Sequence, residues 1–335
     1  MIGAGSWGTA LAFLLARKGH CIQLVGRNHS TQENLIKYKE NIQYLQGFVL
    51  PDSVNFSPLE KIAALSDCYV IAVPSDKVHD VLQYLPKKDA LIVIASKGLI
   101  EGPLVFLSRL VQSELSYSKI AVLSGPNLAV ELAREVPSAA VAASSDSETS
   151  KEVASIFRTS YYRVYTNSDI IGVELAGALK NIYAIGAGLS DGLEFGDNTK
   201  ATLLARGLHE MTRLGVLMGA KIETFMGIAG VGDLFATASS KLSRNYRVGY
   251  ALGKGKSLDQ TLQDIGQVAE GIRTSKIALN VSKIHGVSMP ILEVIESILY
   301  KNLPARKAVE VLMERHPKHE GFAFIDESCK SDMVH

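Results

Sequence analysis

Three glycines at the start of the chain constrain its architecture more than any other feature. Gly3, Gly5 and Gly8 form a G-x-G-x-x-G run that passes directly into the apolar stretch Ala10 to Ala16. In this pattern the first glycine makes a tight turn and the second lets the backbone approach a pyrophosphate without a Cβ. The third packs the following helix closely on a sheet. Leu11, Leu14 and Leu15 share one helical face, and Gly19 is a natural stop. The helix start adds unpaired N–H groups and the positive end of its dipole, a suitable seat for an anion. Such a glycine run also occurs as a plain structural turn. Here the helix and the strand Cys21–Val25 that follow favour a dinucleotide site.

The same pattern requires a strand ahead of Gly3, where only Met1 and Ile2 stand. Either the first strand is extremely short, or the sequence as given begins inside it and forgoes central pairing. Further strands are expected at Cys68–Val73, Leu91–Ala95, Ile120–Leu123 and Ser138–Ala143. Helices are expected near residues 31–39, 76–84 and 102–115, and over Glu148–Phe157. Short apolar strands alternating with helices predict an α/β domain with a parallel sheet covered on both faces. Around Ile170 the texture changes to long helical patterns that run to about Arg315. The 335 residues therefore divide into an α/β domain (1–170), a helical domain (171–317) and a flexible polar tail (318–335).

Charge and composition exclude several functions. Lys plus Arg number 35 against 34 Asp plus Glu, which provides no overall field for nucleic acid or an acidic membrane. No run of 18 apolar residues predicts a membrane span. The Ala10–Ala16 stretch has the length of a signal-peptide core, but glycines rather than basic residues precede it. Cys21, Cys68 and Cys329 are too far apart for a local disulfide framework or a CxxC metal site, which fits a reducing, cytoplasmic setting. His316 and His319 have no third ligand at useful spacing, and His209 sits in a helical pattern, so no metal site is expected. No GxSxG nucleophile elbow at a strand-to-helix turn and no HExxH zinc motif is found.

The candidate chemistry lies in a few polar residues. Arg27 ends the strand where dinucleotide folds often place an acidic residue on the ribose hydroxyls. A guanidinium cannot accept those bonds; it can stack on adenine, pair with a 2′-phosphate, or simply face solvent. Lys97 follows a strand and precedes Gly98, at the edge where open α/β sheets bind ligands. The loop Ser124-Gly125-Pro126-Asn127 follows another strand. Lys180 stands among small and apolar residues, where burial would make its ammonium acidic enough to exchange a proton near neutral pH. The alternative is a lysine snorkelling to water. Ser243-Arg244-Asn245 offers a hydroxyl, a planar fork and an amide, a set suited to phosphate, or else a solvated basic turn. Asp233 is placed to orient a hydroxyl or a lysine, or to cap the helix after it.

The stretches GAGSWGTALA, IAVPS, SKG, SGPNLA, GVELAGALKNIYAIGAGLSDGLEFGDNTKA, GVGDLFAT, LSRNYRVG, VAEG and GVSMPI occur in this order. Over residues 1–315 the chain closely resembles the bacterial NAD(P)-dependent glycerol-3-phosphate dehydrogenases. The resemblance implies a Rossmann-type domain followed by an all-helical substrate domain, in a cytoplasmic homodimer that supplies glycerol 3-phosphate for phospholipid synthesis. It implies cofactor contacts at Ser6, Trp7, Lys97, Ala129, Arg244, Val268 and Glu270 beside the glycines and Arg27. It implies substrate contacts at Lys97, Gly125, Asn127, Asp233, Ser243, Arg244 and Asn245, with Lys180 transferring the proton. Tyr246 stands where the family commonly has arginine, implying one positive charge fewer near the phosphate. The expected reaction interconverts sn-glycerol 3-phosphate and dihydroxyacetone phosphate, using NAD or NADP, with NADPH a plausible reductant. The competing readings are a nicotinamide-dependent reductase of a small keto acid and a noncatalytic dinucleotide sensor.

Overall fold

A computed structural model describes residues 1–316 apart from positions 28, 63–65, 87–88, 103–104 and 117. The tail expected over 318–335, with His319 and Cys329, lies outside the described residues. The first half alternates helix and strand: α1 (Ser6–Arg17), β1 (Ile22–Gly26), α2 (His29–Tyr38), β2 (Glu40–Asn41), β3 (Leu45–Val49) and β4 (Val54–Pro58). It continues through β5 (Cys68–Ile71), α3 (Val78–Leu82), β6 (Leu91–Ile94), α4 (Leu107–Glu114) and β7 (Lys119–Ser124). Then come α5 (Ala129–Ala133), β8 (Ser138–Ala143), α6 (Ser147–Phe157) and β9 (Tyr162–Asn167).

Residues Met1–Gly3 fill the slot between β1 and β5. Ile2 bridges in parallel to Val25 and to Ile71. Its N–H donates to Val70 O at 2.7 Å, Ala72 N–H donates to Ile2 O at 2.7 Å, and Gly3 N–H donates to Val25 O at 2.8 Å. This short parallel segment joins the parallel pair β1–β4 to the run β5-β6-β7-β8-β9. On β6, Leu91 and Val93 pack with α1 and α6, whereas Ile92 and Ile94 pack with α3 and α4. Alternate side chains serve opposite faces, so both faces are covered.

The sheet is not wholly parallel, which corrects the sequence expectation. β8 runs antiparallel to β7, with Ser124 opposite Val141. Between them the one helix, α5, has five residues and spans only about 7.5 Å at 1.5 Å per residue. It does not carry the chain back along a strand of about 20 Å, so β8 starts at the end where β7 stops. β9 was not anticipated either. Its burial alternates, with Tyr162 and Val164 inward and Arg163 and Tyr165 outward.

The second half is helical: α7 (Ile170–Gly192), α8 (Asp197–Leu217), α9 (Ile222–Met226), a π-type turn at Ile228–Gly232 and α10 (Asp233–Ser239). After these come α11 (Arg244–Gly253), α12 (Leu258–Ile265), α13 (Glu270–Ile284), α14 (Pro290–Lys301) and α15 (Ala305–Met313). Asp169 caps α7: Oδ1 accepts from Gly172 N–H at 2.8 Å, while Oδ2 accepts from Lys221 N–H at 2.8 Å and Thr224 Oγ1 at 2.6 Å. Among the described residues α7 alone is long and apolar enough to cross a membrane, and 89% of its apolar window is buried inside the protein. Its apolar surface is used in helix packing.

Helices α7 and α11 meet backbone to backbone. A Cβ on Gly188 would lie 2.0 Å from Tyr246 O, and one on Gly249 would lie 1.9 Å from Ile185 O. This crossing brings Lys180 and Asn181 beside the first turn of α11, where Asn245 Nδ2 donates to Asn181 Oδ1 at 2.8 Å. Gly249→Ala is expected to destabilise the protein by about 3 kcal/mol through overpacking. Thermal unfolding checks it; an unchanged midpoint would contradict the close crossing.

Candidate active site

One cleft of about 830 Å³ runs between the strand ends and helices α7, α11 and α13. On the sheet side it is lined by Gly3, Gly5, Ser6, Trp7, Arg27, Lys97, Asn127 and Ala129. Lys180, Ser243, Arg244, Asn245, Val268 and Glu270 line it from the other side. Gly8, Gly125 and Asp233 lie behind this surface. Gly3 has φ +112°, and a Cβ there would strike Ala72 O at 2.4 Å. Gly8 packs against that turn, where a Cβ would fall 1.9 Å from Gly3 O. At Gly5 a Cβ would meet nothing within 4 Å, so the backbone is bare toward the cleft.

These features fit a dinucleotide. Gly5 precedes α1 without a side-chain cap, and no acidic residue occupies the first turn. The first N–H groups of the helix are left for an anion. Trp7 Nε1 and Asn127 Nδ2 are buried donors without a partner among the described residues. Asn127 is fixed through its other amide atom, since Tyr162 OH donates to Oδ1 at 2.9 Å. Arg27 is half exposed, with Nη2 3.6 Å from Asp80 Oδ2.

Two lysines share one buried carboxylate. Lys97 Nζ donates to Asp233 Oδ2 at 2.7 Å, and Lys180 Nζ to Asp233 Oδ1 at 2.5 Å. Lys97 also donates to Gly125 O at 2.7 Å, so Gly125 bears on the cleft through its carbonyl. Asp233 has no exposed surface and lies beneath both ammonium groups. Burial pulls the Lys180 ammonium down to about 8; Asp233 opposes this, while neighbouring Lys97 and Arg244 add to it. The arrangement can hold a proton at Lys180 Nζ and release it near neutral pH.

The Ser243-Arg244-Asn245 run divides its work. Ser243 Oγ accepts from Tyr246 N–H at 3.2 Å and caps α11. Asn245 braces two helices, since Oδ1 accepts from Gly271 N–H at 3.0 Å while Nδ2 reaches Asn181. The Arg244 guanidinium is largely buried, which lowers its pKa, and Glu270 and Tyr44 oppose that shift. Among the described residues no carboxylate oxygen lies within 4 Å of it. Tyr246, expected to cost the phosphate region a charge, turns elsewhere: its hydroxyl donates to Asp191 Oδ2 at 2.6 Å.

Two family models, described as NAD-dependent glycerol-3-phosphate dehydrogenase N-terminus and C-terminus, match residues 1–150 and 169–310. A glycerol-3-phosphate dehydrogenase [NAD(P)+] of Desulfitobacterium hafniense (strain Y51) is 45% identical over 322 residues, covering 95% of this chain and 91% of that protein. The chain belongs to the NAD-dependent glycerol-3-phosphate dehydrogenase family. A relative of the same name from Geobacter sp. (strain M21) is 46% identical over 330 residues, 96% of this chain and 98% of that one. The crystal structure of glycerol-3-phosphate dehydrogenase from Coxiella burnetii superposes with a TM-score of 0.91 at 38% identity, covering 94% of this chain and 98% of that chain.

In this glycerol-3-phosphate dehydrogenase family member, sequence reasoning missed several residues that shape the site. Lys180 Nζ also donates to Thr237 Oγ1, which lies four residues beyond Asp233 on α10 and 3.2 Å from its Oδ1. The i, i+4 spacing in DLFAT was the available signal. Asn181 directly follows Lys180 and had none beyond adjacency. Ser75 binds Glu270 from 195 residues away, which no local pattern reveals.

Proposed function

We propose that this chain interconverts sn-glycerol 3-phosphate and dihydroxyacetone phosphate in this cleft, with the glycine turn binding NAD(P) and Lys180 moving the proton. The nicotinamide cofactor, when bound, supplies or accepts the hydride at the substrate's C2. Gly3, Gly5, Ser6, Trp7 and Ala129 line the cofactor half, with Val268 and Glu270 facing them. Lys180 protonates the developing C2 alkoxide in reduction and, when neutral, takes the hydroxyl proton in oxidation. Lys97 stabilises negative charge on that oxygen, and Asp233 holds both lysines in place from below. Asn127, through its unpartnered Nδ2, and Arg244 hold the substrate, with Arg244 taking its phosphate. Ser243 and Asn245 set the start of α11 that aims this guanidinium.

The observation that carries this reading is the buried Lys180–Asp233–Lys97 cluster on the cleft that the bare Gly5 backbone lines. The test is cofactor absorbance at 340 nm, a wavelength that reports reduced nicotinamide at roughly full contrast against the oxidised form. Purified protein is offered dihydroxyacetone phosphate or ketopantoate. Turnover on ketopantoate alone contradicts the assignment, and binding without turnover of either makes the chain a sensor. The reading includes a homodimer, which sedimentation tests.

NADPH as a reductant is supported by Arg27, at the end of β1 with no acidic residue in β1 itself. Arg27→Ala is expected to weaken NADPH about tenfold and NADH less than about twofold, as befits one half-exposed charge-assisted contact. Fluorescence titration of both cofactors decides it; equal losses would remove Arg27 from the 2′-phosphate.

A further inference from the structure

Ser75 opens the turn after β5 and is almost wholly buried, yet its partner belongs to the helical half of the chain. Its backbone N–H donates to Glu270 Oε1 at 3.0 Å and its hydroxyl donates to Oε2 at 2.8 Å. Both carboxylate oxygens are thereby engaged from one side. Gly98 closes over the pair: a Cβ there would stand 2.5 Å from Ser75 Oγ and 3.0 Å from Glu270 Oε2. Arg273 and Asp76, 3.2 Å apart, hold the same turn against α13.

Glu270 and Arg244 act on each other electrostatically across the cleft lining, but they form no ion pair within 4 Å. A largely buried guanidinium with no ion pair among the described residues, acted on by a nearby carboxylate, calls for a restraint, because direct pairing would compensate the buried charge. We propose that Ser75 is a positioning residue for the substrate phosphate: by occupying both oxygens of Glu270, it keeps that carboxylate from closing on Arg244. The guanidinium fork then stays open for an external anion. Removing the hydroxyl frees Oε2, and the carboxylate competes as an internal anion for the same donors. This inference rests on the reading of Arg244 as the phosphate-binding cation.

The test is Ser75→Ala, assayed at saturating cofactor. We expect KM for dihydroxyacetone phosphate to rise about tenfold with kcat within about threefold of the parent. Competitive inhibition by inorganic phosphate should weaken in parallel, while kcat/KM for unphosphorylated dihydroxyacetone changes less than about threefold. Adding Glu270→Gln to Ser75→Ala removes the competing charge and should bring phosphate inhibition to within about threefold of Glu270→Gln alone. A loss shared equally by both substrates, or no recovery in the double variant, overturns the proposal, since loosened packing would affect both substrates and ignore the charge. Should Ser75→Ala fail to fold, Ser75→Cys, whose thiol is a weak donor, provides the same comparison. Arg244→Ala run alongside separates the two failures. If it keeps its preference for the phosphorylated substrate, the phosphate reading is wrong; if it loses that preference and Ser75→Ala does not, only the Ser75 role falls.

Discussion

Lys180→Ala is expected to lower turnover about a thousandfold, in the middle of the range for loss of a positioned general acid or base. Cofactor affinity should stay within about twofold, because the lysine reaches the cleft from the helical side and the glycine turn is untouched. Asp233 keeps Lys97 as a partner, so the buried carboxylate is not left without a cation. The pH dependence provides a second readout. The ammonium of Lys180 titrates at about 8. Below that it is an acid and serves reduction; above it the neutral amine serves oxidation. Hence kcat/KM for reduction should fall as pH rises through about 8, and kcat/KM for oxidation should rise over the same interval. Both inflections should vanish in the variant. Turnover within tenfold of the parent, or an unchanged profile, would remove Lys180 from proton transfer.

Arg244→Ala is expected to lower kcat/KM for dihydroxyacetone phosphate by about 10² to 10³. Two charge-assisted hydrogen bonds at about 1.5–2 kcal/mol each correspond to that factor. Unphosphorylated dihydroxyacetone presents no dianion to the guanidinium, so its kcat/KM should change less than about tenfold. The ratio between the two substrates is the quantity to measure. An unchanged ratio would show that the buried arginine serves something other than the phosphate.

Much of the frame was legible in the chain. Ser138–Ala143 was predicted to the residue, and β5, β6 and β7 within two residues at either end, because each is a short apolar run between turn residues. The glycine turn was legible for a similar reason: its three functions concern neighbours within a few residues. β9 was not, since its polar outward residues Arg163 and Tyr165 interrupt the apolar pattern of an edge strand. The reversal at β8 was missed because strand direction depends on the path of the connection rather than on the composition of the strand.

The site was legible as an inventory but not as an arrangement. Lys97, Lys180, Asp233 and Arg244 were all singled out, and of the roles open to Asp233 the packing shows the orienting of a lysine, with two lysines held at once. Asn245 was expected at the substrate, and the bracing of Asn181 and Gly271 by its amide was not foreseen. Tyr246 was read as one positive charge fewer, and its anchoring to Asp191 was not foreseen.

By itself the sequence determined the local grammar: a bare-backbone turn before a helix, apolar strands in alternation with helices, and a lysine set among small residues. Those properties depend on periods and dihedral preferences within one element. Tertiary structure alone decided that Lys97 and Lys180 share Asp233, 136 and 53 residues distant, and that Ser75 faces Glu270. Such partnerships follow from how α10 and α13 pack on α7 and from which strand-end loops α7 meets. They are properties of packed backbones, which no stretch of the chain contains on its own.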